Sequence, residues 1–292
     1  MSSYVAPLKD MMFVLTELAA LDKVAALPGY EEATTDVVEA ILDESAKFTG
    51  GVLAPLNYSG DQEGAKWADK AVTMPKGFKE AYAQFVDNGW NALGGNPEHG
   101  GQGLPKVVSA AVQEMWKSSN MSFSLCPLLT LGAIEALELF GSDAQKAMYL
   151  PNMVSGKWTG TMNITEPQAG SDLAAIRSRA EPQGDGTYRI FGNKIFITYG
   201  DHDMAENTIH LVLARTPGAP EGVKGISLFV VPKFMVNADG SLGHVMTPTA
   251  FRSNTSSAST PARPASWSTA TTAAPSARWW ARRTKASSTC LS

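Results

Sequence analysis

The sequence predicts an α+β protein: an all-α N-terminal domain over residues 1–155 and an antiparallel β-sandwich or barrel over residues 156–245. Apolar residues recur at helical spacing as far as about residue 150, and from Lys157 the period drops to two. A third change, after about residue 245, is one of composition.

In the helical part, Thr34-Thr35 can cap a helix whose apolar face is Val37, Val38, Ile41, Leu42 and Phe48, with Gly50-Gly51 as its stop. Gly60-Asp-Gln-Glu-Gly64 reads as a loop. Phe78, Tyr82, Phe85 and Val86 mark a second helix, closing at Gly89-Trp90. Leu104, Val108, Ala111, Val112 and Met115 mark a third, and Leu128–Phe140 a fourth. Ser142-Asp143 can cap a short helix to Leu150. Pro97-Glu-His-Gly-Gly-Gln-Gly103 follows no strand and lacks both GxGxxG and GxxxxGK, so it reads as a packing turn rather than a phosphate cradle.

Beyond Lys157, strands are predicted at Trp158–Thr165, Ser178–Glu181, Tyr188–Phe191, Lys194–Thr198, Ile209–Ala214 and Ile226–Val231. Turns such as Gly184-Asp-Gly186 and Gly192-Asn193 link them. Short strands without intervening helices predict the antiparallel sheet.

Composition excludes several functions. The 292 residues carry net charge −4, which argues against nucleic-acid binding. No run of about 18 apolar residues and no signal peptide are visible, so no membrane span is expected. Cys126 and Cys290 give neither a disulfide framework nor a metal spacing, and His99, His202, His210 and His244 are scattered. A cytoplasmic protein without a metal site is expected.

The chemistry concentrates in Thr161-Met-Asn-Ile-Thr-Glu-Pro-Gln-Ala-Gly-Ser-Asp172. A strand there breaks at Pro167 and Gly170 into a turn rich in hydroxyl and backbone N–H groups, able to hold a polar ligand. An ordinary strand and surface turn fit the spacing equally well. About thirty residues on comes Lys194-Ile-Phe-Ile-Thr-Tyr-Gly200. A helical domain, then T-E-P-x-A-G-S-D, then I-F-I-T-x-G, then Leu-Val-Leu-Ala-Arg215 resembles the acyl-CoA dehydrogenases over nearly all of residues 1–245. The start (Tyr4, Ala6-Pro-Leu8, Met12-Phe-Val-Leu15, Asn57-Tyr-Ser-Gly-Asp61) resembles the 3-methylmercaptopropionyl-CoA dehydrogenase-like branch.

The resemblance implies FAD as cofactor, acyl-CoA as substrate, electron-transfer flavoprotein as acceptor, and oxidation to the trans-2-enoyl thioester. It implies that Met162, Ile164 and Thr165 lie along the flavin, with Thr165 at the pyrimidine edge. Phe196 takes the aromatic position beside the ring and Thr198 sits near N5, with Ile197 between them. Ser171, after Gly170, lies near the flavin or the pantetheine arm of the substrate. Each has a plainer reading: Thr165 and Thr198 as exposed strand threonines, Phe196 as core, Ser171-Asp172 as a helix cap. Glu166 and Asp172 are read as structural.

From Phe251 to Ser292 there is no Asp, Glu, Gly, Val, Ile or Met. Residues 1–250 carry 18 basic and 28 acidic side chains, whereas the tail holds six basic and none acidic. Such a segment cannot build a core, so 246–292 is expected to be a disordered, non-homologous tail. The family's C-terminal helical bundle, with its catalytic glutamate and oligomer interface, has no counterpart there. No catalytic residue is therefore assigned, and the family's homo-oligomer is in doubt for this chain. Codons permitted for Ser253–Pro264, read one base earlier, spell I-E-H-K-L-G-I-H-A-S-P-T, a family-like stretch. A reading-frame shift near Gly243–Ala250 is the expectation. An inactive dehydrogenase fragment follows from this reading; an acyl-CoA oxidase, a non-catalytic flavin-binding fragment and a chain that does not fold remain alternatives.

Overall fold

A computed structural model describes residues 4–69, 71–237 and 239–245, together with the backbone of 251–253, 265–267 and 279–283. The helices are α1 (Leu8–Phe13), α2 (Leu21–Ala25), α3 (Thr35–Phe48), α4 (Ala54–Glu63), α5 (Phe78–Asp87), α6 (Lys106–Ser119), α7 (Met121–Phe140) and α8 (Asp143–Val154). A small hairpin, β1 (Lys66–Ala68) and β2 (Ala71–Thr73), sits among them. Then come β3 (Trp158–Asn163), β4 (Arg179–Pro182), β5 (Thr187–Phe191), β6 (Asn207–Arg215), β7 (Ile226–Pro232), β8 (Phe234–Val236) and β9 (Leu242–Val245). The expected helical domain followed by a β-domain is what forms.

Local signals explain most boundaries. Thr34 caps α3 through the Val37 N–H, and Ser142 with Gln145 closes a capping box on α8. Two expectations about glycine fail. Gly50-Gly51 does not stop α3; the chain runs through a π-helical turn, Thr49–Leu53, straight into α4. Gly60, expected in a loop, lies inside α4, because a Cβ there would sit 2.5 Å from the Phe78 ring. Its lack of a side chain serves packing, which outweighs its weak helix propensity. Val37, assigned to the apolar face of α3, is exposed; Val38, Leu42 and Phe48 carry the burial.

The loop before α6 consumes its own N–H groups. Those of Gly101, Gln102, Gly103 and Leu104 bond to the carbonyls of Asn96, Ala92, Gly95 and Leu93. No N–H cradle is left for a phosphate, as expected.

Helix α7 starts seven residues before its predicted start. At twenty residues it is long and apolar enough, by length and composition, to cross a bilayer, yet Ser122, Ser124, Thr130, Glu135 and Glu138 interrupt it, so it holds no run of about 18 apolar residues. Its contacts are those of a central core helix. Phe123 and Cys126 join an aromatic cluster with Phe78, Tyr82, Phe85 and Trp116, while Ala133, Ile134 and Leu137 pack toward the sheet.

The sheet is mixed rather than wholly antiparallel. β3 runs parallel to β6, from Trp158↔Asn207 to Asn163↔Val212, and β4 meets β6 in parallel at Arg179↔Arg215. The segment linking β3 to β6 is long enough to bring the chain back in the same direction. β6 and β7 are antiparallel over seven pairs, as are β4 and β5 over four. In the tail, the backbone forms β10 (Phe251–Ser253), β11 (Ala265–Trp267) and β12 (Trp279–Arg283). β12 lies between β5 and β7 and closes the sheet into a ring. The rest of 246–292, on which the disordered-tail expectation falls, lies outside the described residues.

The alternation in β3 has an unexpected outcome. Trp158 and Gly160 face the helices, Gly160 so closely that a Cβ would lie 2.5 Å from that of Ala133. The polar face, Thr159, Thr161 and Asn163, does not meet water; all three are buried. They join Thr208, His202 and His210 in a hydrogen-bonded seam inside the barrel, with Thr159 Oγ1 3.0 Å from His202 Nε2 and Thr161 Oγ1 2.7 Å from His210 Nδ1. Burial, with the Lys233 charge adding to it, pushes both histidines down to about 3, so both are neutral.

Candidate functional site

β3 ends at Asn163, and the chain then carries Ile164, Thr165 and Glu166 across the barrel's end. Glu166 turns inward and is buried. Its carboxylate accepts from Lys194 Nζ at 2.8 Å, Ser178 N at 3.0 Å, Arg177 N at 2.8 Å and Gln168 Nε2 at 2.6 Å. The Glu166–Lys194 pair is 3% and 5% exposed. Burial opposes the charge on Glu166, but hydrogen bonds from Lys194 and the two N–H groups outweigh it and hold the carboxyl below its ordinary range. Burial draws Lys194 below the ordinary lysine range, against the pull of Glu166. Glu166 is structural, as expected. So is Asp172, which caps a 3-10 turn at Leu173–Ala175 through the Ala174 N–H.

Lys194 also donates to the Ile164 carbonyl at 2.9 Å, and Ile195 N–H donates to the Thr165 carbonyl at 2.9 Å. The two motifs, thirty residues apart in sequence, are stitched side by side. The expected strand Lys194–Thr198 does not form. Phe196 (φ 59°) and Tyr199 (φ 52°) are left-handed, which an extended strand excludes, and Gly200 N–H turns back onto the Ile197 carbonyl. Tyr199 is buried, and its hydroxyl donates to the Ser122 carbonyl at 2.6 Å, pinning this segment to the start of α7.

The structure separates the candidate residues by environment. Met162 and Ile164 are half-buried against the cluster between helices and sheet. Thr165 and Thr198 are half-buried, Gly170 and Ser171 exposed. Phe196 is 55% exposed, so it is not core; its phenyl ring stands in the open on a left-handed backbone position where a large side chain is costly. Ile197 points the other way, into the barrel core with Ala180, Val212 and Phe229, and offers a ligand only its main chain. Among the described residues, the hydroxyls of Thr165, Ser171 and Thr198 have no hydrogen-bond partner.

This arrangement fits a flat aromatic group with a polar edge. The Thr165 segment and the Phe196–Thr198 segment lie side by side, carrying one exposed ring and two of the hydroxyls, with Ile164 tied to Lys194. No group of three or more His, Cys, Asp or Glu could hold a metal ion among the described residues.

Two functional supports escape the sequence reading. Lys194 reads there as the first residue of a strand, though an isolated lysine ahead of an apolar run is the sort of residue that pairs when buried. Arg215 closes an apolar strand and donates to the carbonyls of Ile176 at 2.8 Å and Ala174 at 2.9 Å, holding the loop that follows Ser171.

Comparison with known proteins agrees with this layout. Residues 35–157 match the acyl-CoA dehydrogenase N-terminal domain and residues 161–257 the acyl-CoA dehydrogenase middle domain. The chain is 56% identical over 238 residues to 3-methylmercaptopropionyl-CoA dehydrogenase of Ruegeria pomeroyi, covering 82% of this chain and 40% of that protein. A probable acyl-CoA dehydrogenase from Mycobacterium abscessus superposes with a TM-score of 0.55 at 27% identity, over 70% of this chain and 51% of that one. An acyl-CoA dehydrogenase from Bacillus anthracis, solved in complex with FAD, shares the fold at a TM-score of 0.56 and 23% identity, over 70% and 32% of the two chains. The chain thus spans about two fifths of the length of the curated relative. It belongs to the acyl-CoA dehydrogenase family, of which it carries the N-terminal and middle domains.

Proposed function

We propose that this protein contributes the flavin wall of an FAD-dependent acyl-CoA dehydrogenase, which oxidises the CH–CH bond next to an acyl thioester. The observation that carries the reading is the pairing of the Thr165 segment with the Phe196–Thr198 segment through the Ile195 N–H to Thr165 carbonyl bond, the two together bearing an exposed ring and hydroxyls with no partner among the described residues. FAD, when bound, supplies a two-electron acceptor for the hydride that leaves the acyl β-carbon. Thr165 would donate to the pyrimidine edge of the ring system, where negative charge gathers on reduction, and Thr198 would offer its hydroxyl near N5. Phe196 would lie against the bound ring, and Met162 and Ile164, packed on the core between helices and sheet, would back the wall. Gly170 leaves the turn open, and Ser171 offers a hydroxyl to the flavin or to the pantetheine arm of acyl-CoA. Electron-transfer flavoprotein is the proposed acceptor, and the cytoplasm the compartment.

Three acidic residues around the motifs are not available as the proton acceptor. Glu166 is committed to Lys194 and Asp172 to its cap, and Asp201 is buried against Lys233. A polypeptide of these 292 residues alone is therefore predicted to turn over acyl-CoA slowly, by a factor of about 10²–10⁴ for the missing base. The reading-frame shift near Gly243–Ala250 belongs to the same proposal, and sequencing the gene across those codons tests it; a frame that no single-base change restores to the family pattern would sink it. The functional reading is tested by titrating the purified protein with FAD. A yellow stoichiometric complex that bleaches only slowly with butyryl-CoA is the expected result. No flavin uptake refutes the wall, and turnover at ordinary dehydrogenase rates refutes the missing base.

A further inference from the structure

We propose that Lys194 is a positioning residue: its ammonium group, held by Glu166, fixes the Ile164 carbonyl and so sets the Thr165 segment beside the Phe196–Thr198 segment. The inference rests on the flavin reading above and goes beyond it by assigning the wall's geometry to one buried cation.

Three stretches of chain converge on this pair. Residues 164–168 supply Glu166, the Ile164 carbonyl and Gln168. Residues 177–178 supply two N–H donors, and 194–195 supply Lys194 and the Ile195 N–H. None of these stretches is a strand where they meet, and the backbone tie to the sheet is at Ser178, whose carbonyl accepts from Arg215 N–H at 2.8 Å. The carbonyls of Ile164 and Thr165 are both taken from behind, by Lys194 and by Ile195 N–H. With its flanking carbonyls held on the inner side, Thr165 keeps its hydroxyl free for the open side. Tyr199 anchors the far end of the second segment to Ser122, which leaves Lys194 as the anchor of the near end.

A charge pair buried only for stability behaves differently from one that positions a surface. Removing one partner strands the other charge, and either role then suffers. Removing both charges with side chains of similar size relieves the stranded charge yet leaves the Ile164 carbonyl without its donor. The decisive variant is therefore Glu166→Gln with Lys194→Met, beside the single Lys194→Met and the charge-keeping Lys194→Arg.

Two measurements on the full chain separate the outcomes. Amide hydrogen exchange is read without flavin at Ile195 and Ala169, with α5 and α7 as internal references. FAD affinity is read by quenching of flavin fluorescence. In the double variant, exchange at Ile195 is expected to accelerate at least tenfold while α5 and α7 stay protected, and FAD to bind at least tenfold more weakly. Lys194→Arg is expected to recover part of both. Wild-type exchange at Ile195 in the double variant overturns the proposal. So does wild-type FAD affinity in that variant, because loosening would then not reach the wall. Failure of the wild-type chain to bind FAD overturns the flavin reading alone, since the exchange measurement still decides whether Lys194 positions these segments.

Discussion

Gly160→Ala offers the sharpest test of how the sheet is seated on the helices. A Cβ on residue 160 would stand 2.5 Å from the Ala133 Cβ, 3.0 Å from Met153 Cε and 3.3 Å from the Thr130 Cα. The methionine methyl can swing away. The other two are fixed to the backbone of α7, so helix and strand must separate by about 1 Å to restore ordinary contact. That movement also stretches the bond from Gly160 N to Thr130 Oγ1, now 3.0 Å. Overpacking of this kind costs about 1–3 kcal/mol. The loss of glycine's freedom in the unfolded chain returns about 0.4–1 kcal/mol. The net expectation lies between about 0 and 2.6 kcal/mol and centres on a destabilisation of about 1.3 kcal/mol, or roughly 3–5 °C in Tm for a domain of this size. Urea unfolding followed by circular dichroism measures it. Ala133→Gly removes the atom that clashes; alone it costs about 1 kcal/mol as a glycine inside a helix. Combined with Gly160→Ala it is expected to cost less than the sum of the two, by about 0.5–2 kcal/mol. An unchanged midpoint in Gly160→Ala, or strict additivity in the double variant, would refute the claim that this contact seats the sheet.

Other expectations follow from the same geometry. Thr165→Val removes a hydroxyl with no partner among the described residues, so stability is expected to hold while FAD affinity falls about 2–12-fold, the worth of one hydrogen bond of 0.5–1.5 kcal/mol; a titration with parallel melting curves checks both. Phe196→Gly relieves a left-handed backbone position and removes an exposed ring, so the melting temperature is expected not to fall even as flavin binding weakens. His202 and His210 are held neutral down to about pH 3, whereas an unfolded histidine protonates near pH 6.5. Their contribution is therefore complete above pH 6.5 and is lost as the pH falls toward 3, at about 2 kcal/mol per histidine by pH 5. Urea midpoints at pH 7 and pH 5 measure the drop, and His202→Gln is expected to flatten it.

What the sequence revealed depended on whether a residue's role was local. The caps at Thr34 and Ser142, the stripes on α5 and α6, and strands β3 to β7 follow from spacing, because neighbours in sequence decide them. Gly60 misled because its role depends on Phe78, which meets it only after folding. Lys194–Thr198 misled in the opposite sense. Its composition favours a strand, yet its hydrogen bonds go to Thr165 and Glu166, and tertiary demand overrides local preference there.

The same contrast explains how the candidate site is built. The residues that resemble a cofactor wall were legible as a motif, but a motif does not say which of its members face outward. In the folded chain, the charged members Glu166 and Lys194 turn inward and neutralise each other. Of the hydroxyl and aromatic members, Ser171 and Phe196 are exposed and Thr165 and Thr198 half-buried. Burying the charges is costly, and four hydrogen bonds on one carboxylate offset that cost only if three separate stretches of chain arrive together. An ion pair that stabilises only when every stretch is in place makes the wall an all-or-none feature. On the proposed flavin reading that property matters, because a wall that is loose by an ångström loses the directed hydrogen bonds that distinguish it from any other patch of threonines.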